Sequence, residues 1–195
     1  EQVMDTAFFE IPAEEQQLSL TAFATELLKN YGIHGAKVSC INFEFNATFS
    51  VETDSGTKYA LRININSTRT VDNMKAEVEW VRYLNRTSGL HTPTPIATLD
   101  DQYIVSSLHA DSGQTLYGVM YSWLDGEEIG DEPTMEQLHQ VGRAMATLHE
   151  ESSEFALSSG NSLPTFSDFF WGTEDFLFSD KSVLSDADRA SSPRG

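Results

Sequence analysis

Arg62 lies in the run Tyr59-Ala60-Leu61-Arg62-Ile63, where polar and apolar side chains alternate. A two-residue period belongs to an extended strand, so Leu61 and Ile63 share one face and Arg62 points away from them. A guanidinium held in that way can set a fork of N–H donors on phosphate oxygens. Such a cation needs a carboxylate to fix its rotamer, and the helical segment that follows carries Glu77 and, two residues on, Glu79. Phosphoryl transfer is a chemistry that asks for this, because there the protein contributes mainly positioning and charge stabilisation.

Other chemistries can be searched for by spacing. The sequence has no Gly-x4-Gly-Lys-Ser/Thr loop, no Gly-x-Gly-x-x-Gly, no His-Glu-x-x-His and no Gly-x-Ser-x-Gly. Asp125, Glu127, Gly130 and Glu136 fall in a calcium-loop register, but Ile129 stands where an oxygen ligand is needed and Pro133 interrupts it. The five histidines are scattered, and His139 and His149 are about three helical turns apart, too far to share a metal. Core or surface packing accounts for each.

The elements that must position Arg62 follow from periodicity. Leu20, Phe23, Ala24, Leu27, Leu28 and Tyr31 recur at helical spacing up to Gly32. Val38 to Ile65 reads as two or three strands, with a tight turn at Asp54-Ser55-Gly56. Val71, Met74, Val78, Val81 and Asn85 predict a helix from about Asp72 to Arg86, stopped by Ser88-Gly89 and the Pro93/Pro95 pair. Strands are expected over 102–108 and 115–123, then an acidic loop, then a helix opened by the Thr134-x-x-Gln137 capping box. The tail from Glu151 is Ser-rich and carries Phe166, Phe169, Phe170, Trp171, Phe176 and Phe178, which need apolar cover.

Composition bounds the rest. The chain has 195 residues, 30 acidic and 12 basic, for a net charge of -18. That field repels nucleic-acid backbones and anionic lipid, so neither a nucleic-acid partner nor a membrane surface is expected. No run is long enough to span a bilayer, the first residues lack a basic leader, and Cys40 is the lone thiol. A cytoplasmic setting is expected. Between Thr87 and Gly142 no Lys or Arg occurs, so an anion site must draw on Lys58, Arg62, Arg69 or Lys75, with a metal.

The order of strand pair with LRI, helix with Glu77, strand ending Tyr121-Ser122-Trp123-Leu124-Asp125-Gly126, and helix ending Leu148-His149 resembles the N-terminal half of the aminoglycoside phosphotransferase and choline kinase family. The resemblance spans roughly residues 20 to 150. It implies an α+β, protein-kinase-like N-lobe at 1–120, a hinge at 121–126, and a partial helical C-lobe over 127–195. It also implies ATP with magnesium as the cofactor, Glu77 as the partner of Arg62, and Asn46 in the loop over the triphosphate. That loop, Phe43 to Thr48, has no glycine, and a plain turn role for Asn46 is the other reading. The Ser122 carbonyl and Leu124 amide would meet adenine between apolar walls from Ile41, Phe49, Ala60 and Met120. Many members carry lysine where Arg62 stands.

Such kinases act through a later His-Gly-Asp-x-His-x-x-Asn segment and a further metal-binding Asp, and neither pattern is in this sequence. The expectation is therefore the ATP-binding portion of a small-molecule O-phosphotransferase acting on an alcohol, truncated before the catalytic loop and inactive alone. A non-catalytic interaction module and an unrelated acidic α+β binding protein are the alternatives. The aromatic tail is expected to promote self-association.

Overall fold

The computed structural model describes residues 7–65, 69–127 and 129–163. The tail aromatics Phe166 to Phe178, and with them the expected self-association, lie outside the described residues.

The chain is α+β. It begins with a short helix, α1 (Ala7–Glu10), and α2 (Ala13–Leu27), which tightens into a 3-10 turn at Leu28–Tyr31. Gly32 ends it at φ 68°, a left-handed conformation that costs glycine little and side-chain-bearing residues more. Strands β1 (Lys37–Phe43), β2 (Asn46–Glu52) and β3 (Lys58–Asn64) follow, then helix α3 (Val71–Thr87), strands β4 (Ile104–His109) and β5 (Gln114–Ser122), and helix α4 (Met135–Glu154). The sheet order is β1-β2-β3-β5-β4, with every neighbouring pair antiparallel. Between Cys40 and Asn42 the β1 register shifts, leaving Ile41 as a bulge on an edge strand.

Alternation sorts the sheet into two faces. Phe49, Leu61 and Met120 are cross-strand neighbours, and with Val51 and Ile63 they are fully buried under Leu20, Phe23, Ala24 and Leu27 of α2. Each such side chain contributes about 1.5–3 kcal/mol when removed from water. On the opposite face Thr48, Arg62 and Val119 stand in register, as do Ser50, Ala60 and Tyr121. There α3 packs Met74 and Val78 against Val119 and Tyr121, a much smaller apolar cluster.

This corrects one expectation. Phe49 and Met120 cannot wall a site on the Arg62 face, because they are one residue out of phase with it and lie in the α2 core. Ile41 is half exposed at the bulge. Ala60 alone of those four lines the cleft that holds Arg62.

Both α3 and α4 open with a capping box, the second of them expected from sequence. In α3 the Thr70 hydroxyl accepts from the Asn73 N–H while the Asn73 side chain accepts from the Thr70 N–H. Thr134 and Gln137 do the same for α4. Unlike α3, α4 buries none of its residues, and Met135, Leu138, Val141 and Met145 are exposed.

Candidate functional site

Arg62 stands in the middle of β3, opposite Thr48 on one side and Val119 on the other. Its guanidinium carbon lies 5.7 Å from the centre of the Tyr121 ring, and its Nη2 is 2.7 Å from Glu77 Oε1. Glu77 comes from the second turn of α3, which the capping box starts at a defined residue, so the helix delivers it to the sheet at the height of Arg62. Arg62 is 28% and Glu77 18% exposed, enough shielding for the pair to be more than a solvated surface contact.

Two further donors converge on Glu77. Arg69, just ahead of the α3 cap, places Nη1 3.0 Å from Glu77 Oε2, and the Tyr121 hydroxyl donates to Glu77 Oε1 at 3.1 Å. Burial pushes the Tyr121 phenol far above its ordinary value, and the negative charge of Glu77 adds to the effect. It is therefore a hydroxyl donor throughout the physiological range. One carboxylate thus gathers two guanidiniums and a phenol at this end of the sheet.

The pair lies in a cleft of about 350 Å³. Thr48 and Ala60 of the sheet form one wall, Val81 of α3 and Pro93 another, and Tyr121, Ser122, Trp123 and Leu124 close the end. β5 runs through Ser122, so the chain leaves the sheet at Trp123. Ser122 is tied down by its own N–H, which donates to the Thr94 carbonyl at 2.8 Å, and by its hydroxyl, which accepts from the Thr94 N–H at 2.9 Å. Thr94 in turn donates to Asn85 Oδ1 at 2.6 Å, and the Asn85 amide donates to Thr92 Oγ1 and the Pro93 carbonyl. The end of α3, the proline segment and the start of the linker are thus one polar seam.

Of the residues singled out by sequence, Arg62, Glu77, Ser122 and Leu124 come together around this cleft. Asn46 does not line it. It sits at the first position of β2 opposite Asn64, on the same face as Thr48 and Arg62 but further toward the β1–β2 turn, and its carbonyl accepts from the Glu44 N–H at 3.0 Å. Tyr121 was not foreseen as a site residue, and Arg69 was foreseen only as a basic residue near an anion. The signal for Tyr121 was its cross-strand phase with Ala60, which sequence alone does not supply. Trp123 lies at the cleft, with Lys58 Nζ 6.0 Å from its ring.

A slightly larger cavity, about 400 Å³, opens on the other flank of α3 beside Lys75, Arg82 and Tyr103. Arg82 is stacked over the Tyr103 ring at 4.5 Å, and Glu79 and Asp101 balance the two cations there. Size favours that cavity, but the charge-braced cation is in the smaller cleft, and chemistry decides between them.

A sequence profile of the phosphotransferase enzyme family (APH) matches residues 44–177. The chain belongs to this family. The matched span begins at the β1–β2 turn and includes the whole cleft, and membership removes the support for an unrelated acidic binding protein. Among solved structures, the microcompartment-associated aminopropanol kinase superposes with a TM-score of 0.66 at 23% identity, over 78% of this chain and 46% of that one. The amicoumacin kinase hAmiN, solved in complex with AMP-PNP, Ca2+ and Ami, superposes with a TM-score of 0.62 at 16% identity, over 76% and 45%. At these identities the likeness shows a shared kinase-like fold, and this chain spans less than half the length of either kinase. No curated protein matches the chain.

Among the described residues no three His, Cys, Asp or Glu side chains gather where they could hold a metal ion. None of the described helices is long and apolar enough to cross a membrane.

Proposed function

We propose that this chain is the ATP-binding portion of a kinase that phosphorylates the hydroxyl group of a small molecule. The observation that carries the reading is the Arg62–Glu77 pair at 2.7 Å, at a cleft closed by the strand-to-linker segment 122–124. Arg62 has N–H groups beyond the one spent on Glu77, and these suit phosphate oxygens. Glu77 holds the guanidinium in place, so the cation needs no reorganisation when the anion arrives. Ala60, Val81 and Trp123 offer apolar surface for a purine, with the Ser122 carbonyl and Leu124 amide as its hydrogen-bonding partners. Asn46, further along the same sheet face, would meet the far end of the triphosphate.

The magnesium that accompanies ATP would be held by a catalytic segment of the kind this sequence does not contain. We place the linker at 121–126, between the nucleotide-binding part and the part that begins with α4. The acceptor is read as an alcohol, as the name of the aminopropanol kinase also has it for that protein. The His-Gly-Asp-x-His-x-x-Asn pattern is not in this sequence, so these residues alone are expected to bind nucleotide and transfer no phosphate. A cytoplasmic setting, where ATP is plentiful, belongs to the same reading.

Calorimetric titration with ATP and magnesium tests it. Saturable binding is expected, weakened at least about tenfold in Arg62→Ala, the loss that follows when charged hydrogen bonds are removed. Equal binding by the variant would overturn the assignment of Arg62.

A further inference from the structure

Glu79 lies two positions beyond Glu77, about 200° around the helix, and therefore faces away from the cleft. It is not an idle surface acid. Its Oε2 accepts from the Ser158 backbone N–H at 3.0 Å and its Oε1 from the Asn161 amide at 2.6 Å. These contacts belong to a strap formed by the residues after α4, which runs antiparallel along the outer side of α3. The last turn of α4 leads into it, with Glu151 accepting from Thr87 at the end of α3 at 2.6 Å; beyond the helix the Phe155 ring lies 4.9 Å from Trp80 and 5.1 Å from Tyr83, and the Ser162 carbonyl accepts from Asn73 at the first turn at 2.7 Å.

On its inner side α3 is held by a small apolar cluster, Met74 and Val78 against Val119 and Tyr121, and by polar contacts of Glu77 with Arg62 and Tyr121 and of Asn85 with the 92–94 segment. An apolar contact is non-directional and by itself sets the roll of a helix less sharply than hydrogen bonds do. Paired hydrogen bonds to a charged acceptor are directional, and they fix what the apolar cluster leaves loose. We propose that Glu79 is a positioning residue for the nucleotide site: by gripping the strap it sets the roll of α3 and so keeps Glu77 against Arg62. This rests on the nucleotide-binding reading above. The strap acts through α3, and neither Glu79 nor Asn161 touches the cleft.

The test uses the full chain and the variants Glu79→Ala and Asn161→Ala, with Glu79→Gln as the conservative partner and Gln140→Ala on α4 as control. Affinities are measured for ATP with magnesium and for adenosine, which has no phosphate for Arg62 to hold. Hydrogen exchange of the α3 amides is followed without ligand. The expected result is a roughly 2- to 30-fold loss for ATP in both alanine variants, the size of effect one element exerts on a site through another. Adenosine affinity should be retained, the glutamine variant should lose less, and α3 should exchange faster. Unchanged ATP affinity, unchanged exchange, or a parallel loss of ATP and adenosine would each overturn the proposal. If ATP binding is insensitive to Arg62→Ala, the assignment of Arg62 fails and takes this one with it; if ATP does not bind at all, the nucleotide reading itself fails. If Arg62→Ala is damaging and Asn161→Ala is not, only the strap's role is lost.

Discussion

Glu77 accepts from Arg62, Arg69 and Tyr121, so removing any one donor leaves the carboxylate with two others. The cost in stability should be small. For Arg62→Ala a change within about 1 kcal/mol is expected, because the pair is still partly open to water and Glu77 keeps its other two donors. Urea unfolding checks it, and a loss of several kcal/mol would mean that the arginine serves the fold rather than the ligand. Tyr121→Phe should cost about 0.5–1.5 kcal/mol, the net worth of one hydrogen bond, since its ring stays packed against Val78 and Met74. Sequence alone could assign Arg62 to a face opposite Leu61 and Ile63. It could not say which apolar residues of the neighbouring strands share that face, since alternation defines two faces but not the register between strands. Hence Phe49 and Met120 belong to the wrong wall, and nothing singles out Tyr121 until β5 is laid beside β3.

The elements differ in how they are held. Leu61 is fully buried between Phe49 and Met120 in the cross-strand row under α2. Leu61→Ala should cost about 2–5 kcal/mol, read from the unfolding midpoint, because it opens a cavity where the two layers meet. α2 is also clasped to the β4–β5 hairpin by polar groups. His109 is buried between the Phe8 and Phe23 rings, with Nε2 2.9 Å from Ser19 Oγ and Nδ1 2.8 Å from Ser112 Oγ. Ser19 also donates to Asp111. Burial lowers the affinity of His109 for a proton from the usual 6.5, and the nearby Asp111 offsets part of that. As pH falls through 6.5 the unfolded chain therefore takes up the proton before the folded one does, and stability drops. The unfolding midpoint should be highest above neutrality and decline toward pH 5.5, with a flatter profile in His109→Gln. An equally steep profile in that variant would assign the slope to other groups. Periodicity exposed α2, α3 and α4 because each spans several turns. It missed α1, whose four residues are too few to show a period, and it could not place the strap after α4, whose polar contacts with α3 are set by the tertiary structure.

At the scale of the molecule, a net charge of -18 makes the folded state repel itself. Thermal midpoints should rise as sodium chloride is taken from about 0.01 to 0.15 M, which shortens the Debye length from about 30 to 8 Å. A falling midpoint would mean that the ion pairs at Glu77 outweigh the general repulsion. The bulge at Ile41 has a different bearing on the assembled sheet. β1 lies at one margin of the five strands, and the extra residue breaks the regular spacing of the backbone groups it presents outward. A stray strand from another molecule would pair for a few residues and then lose step, so fibril growth from that side is discouraged by geometry. Deleting Ile41 should restore the even ladder, and with it a lower threshold for seeded aggregation.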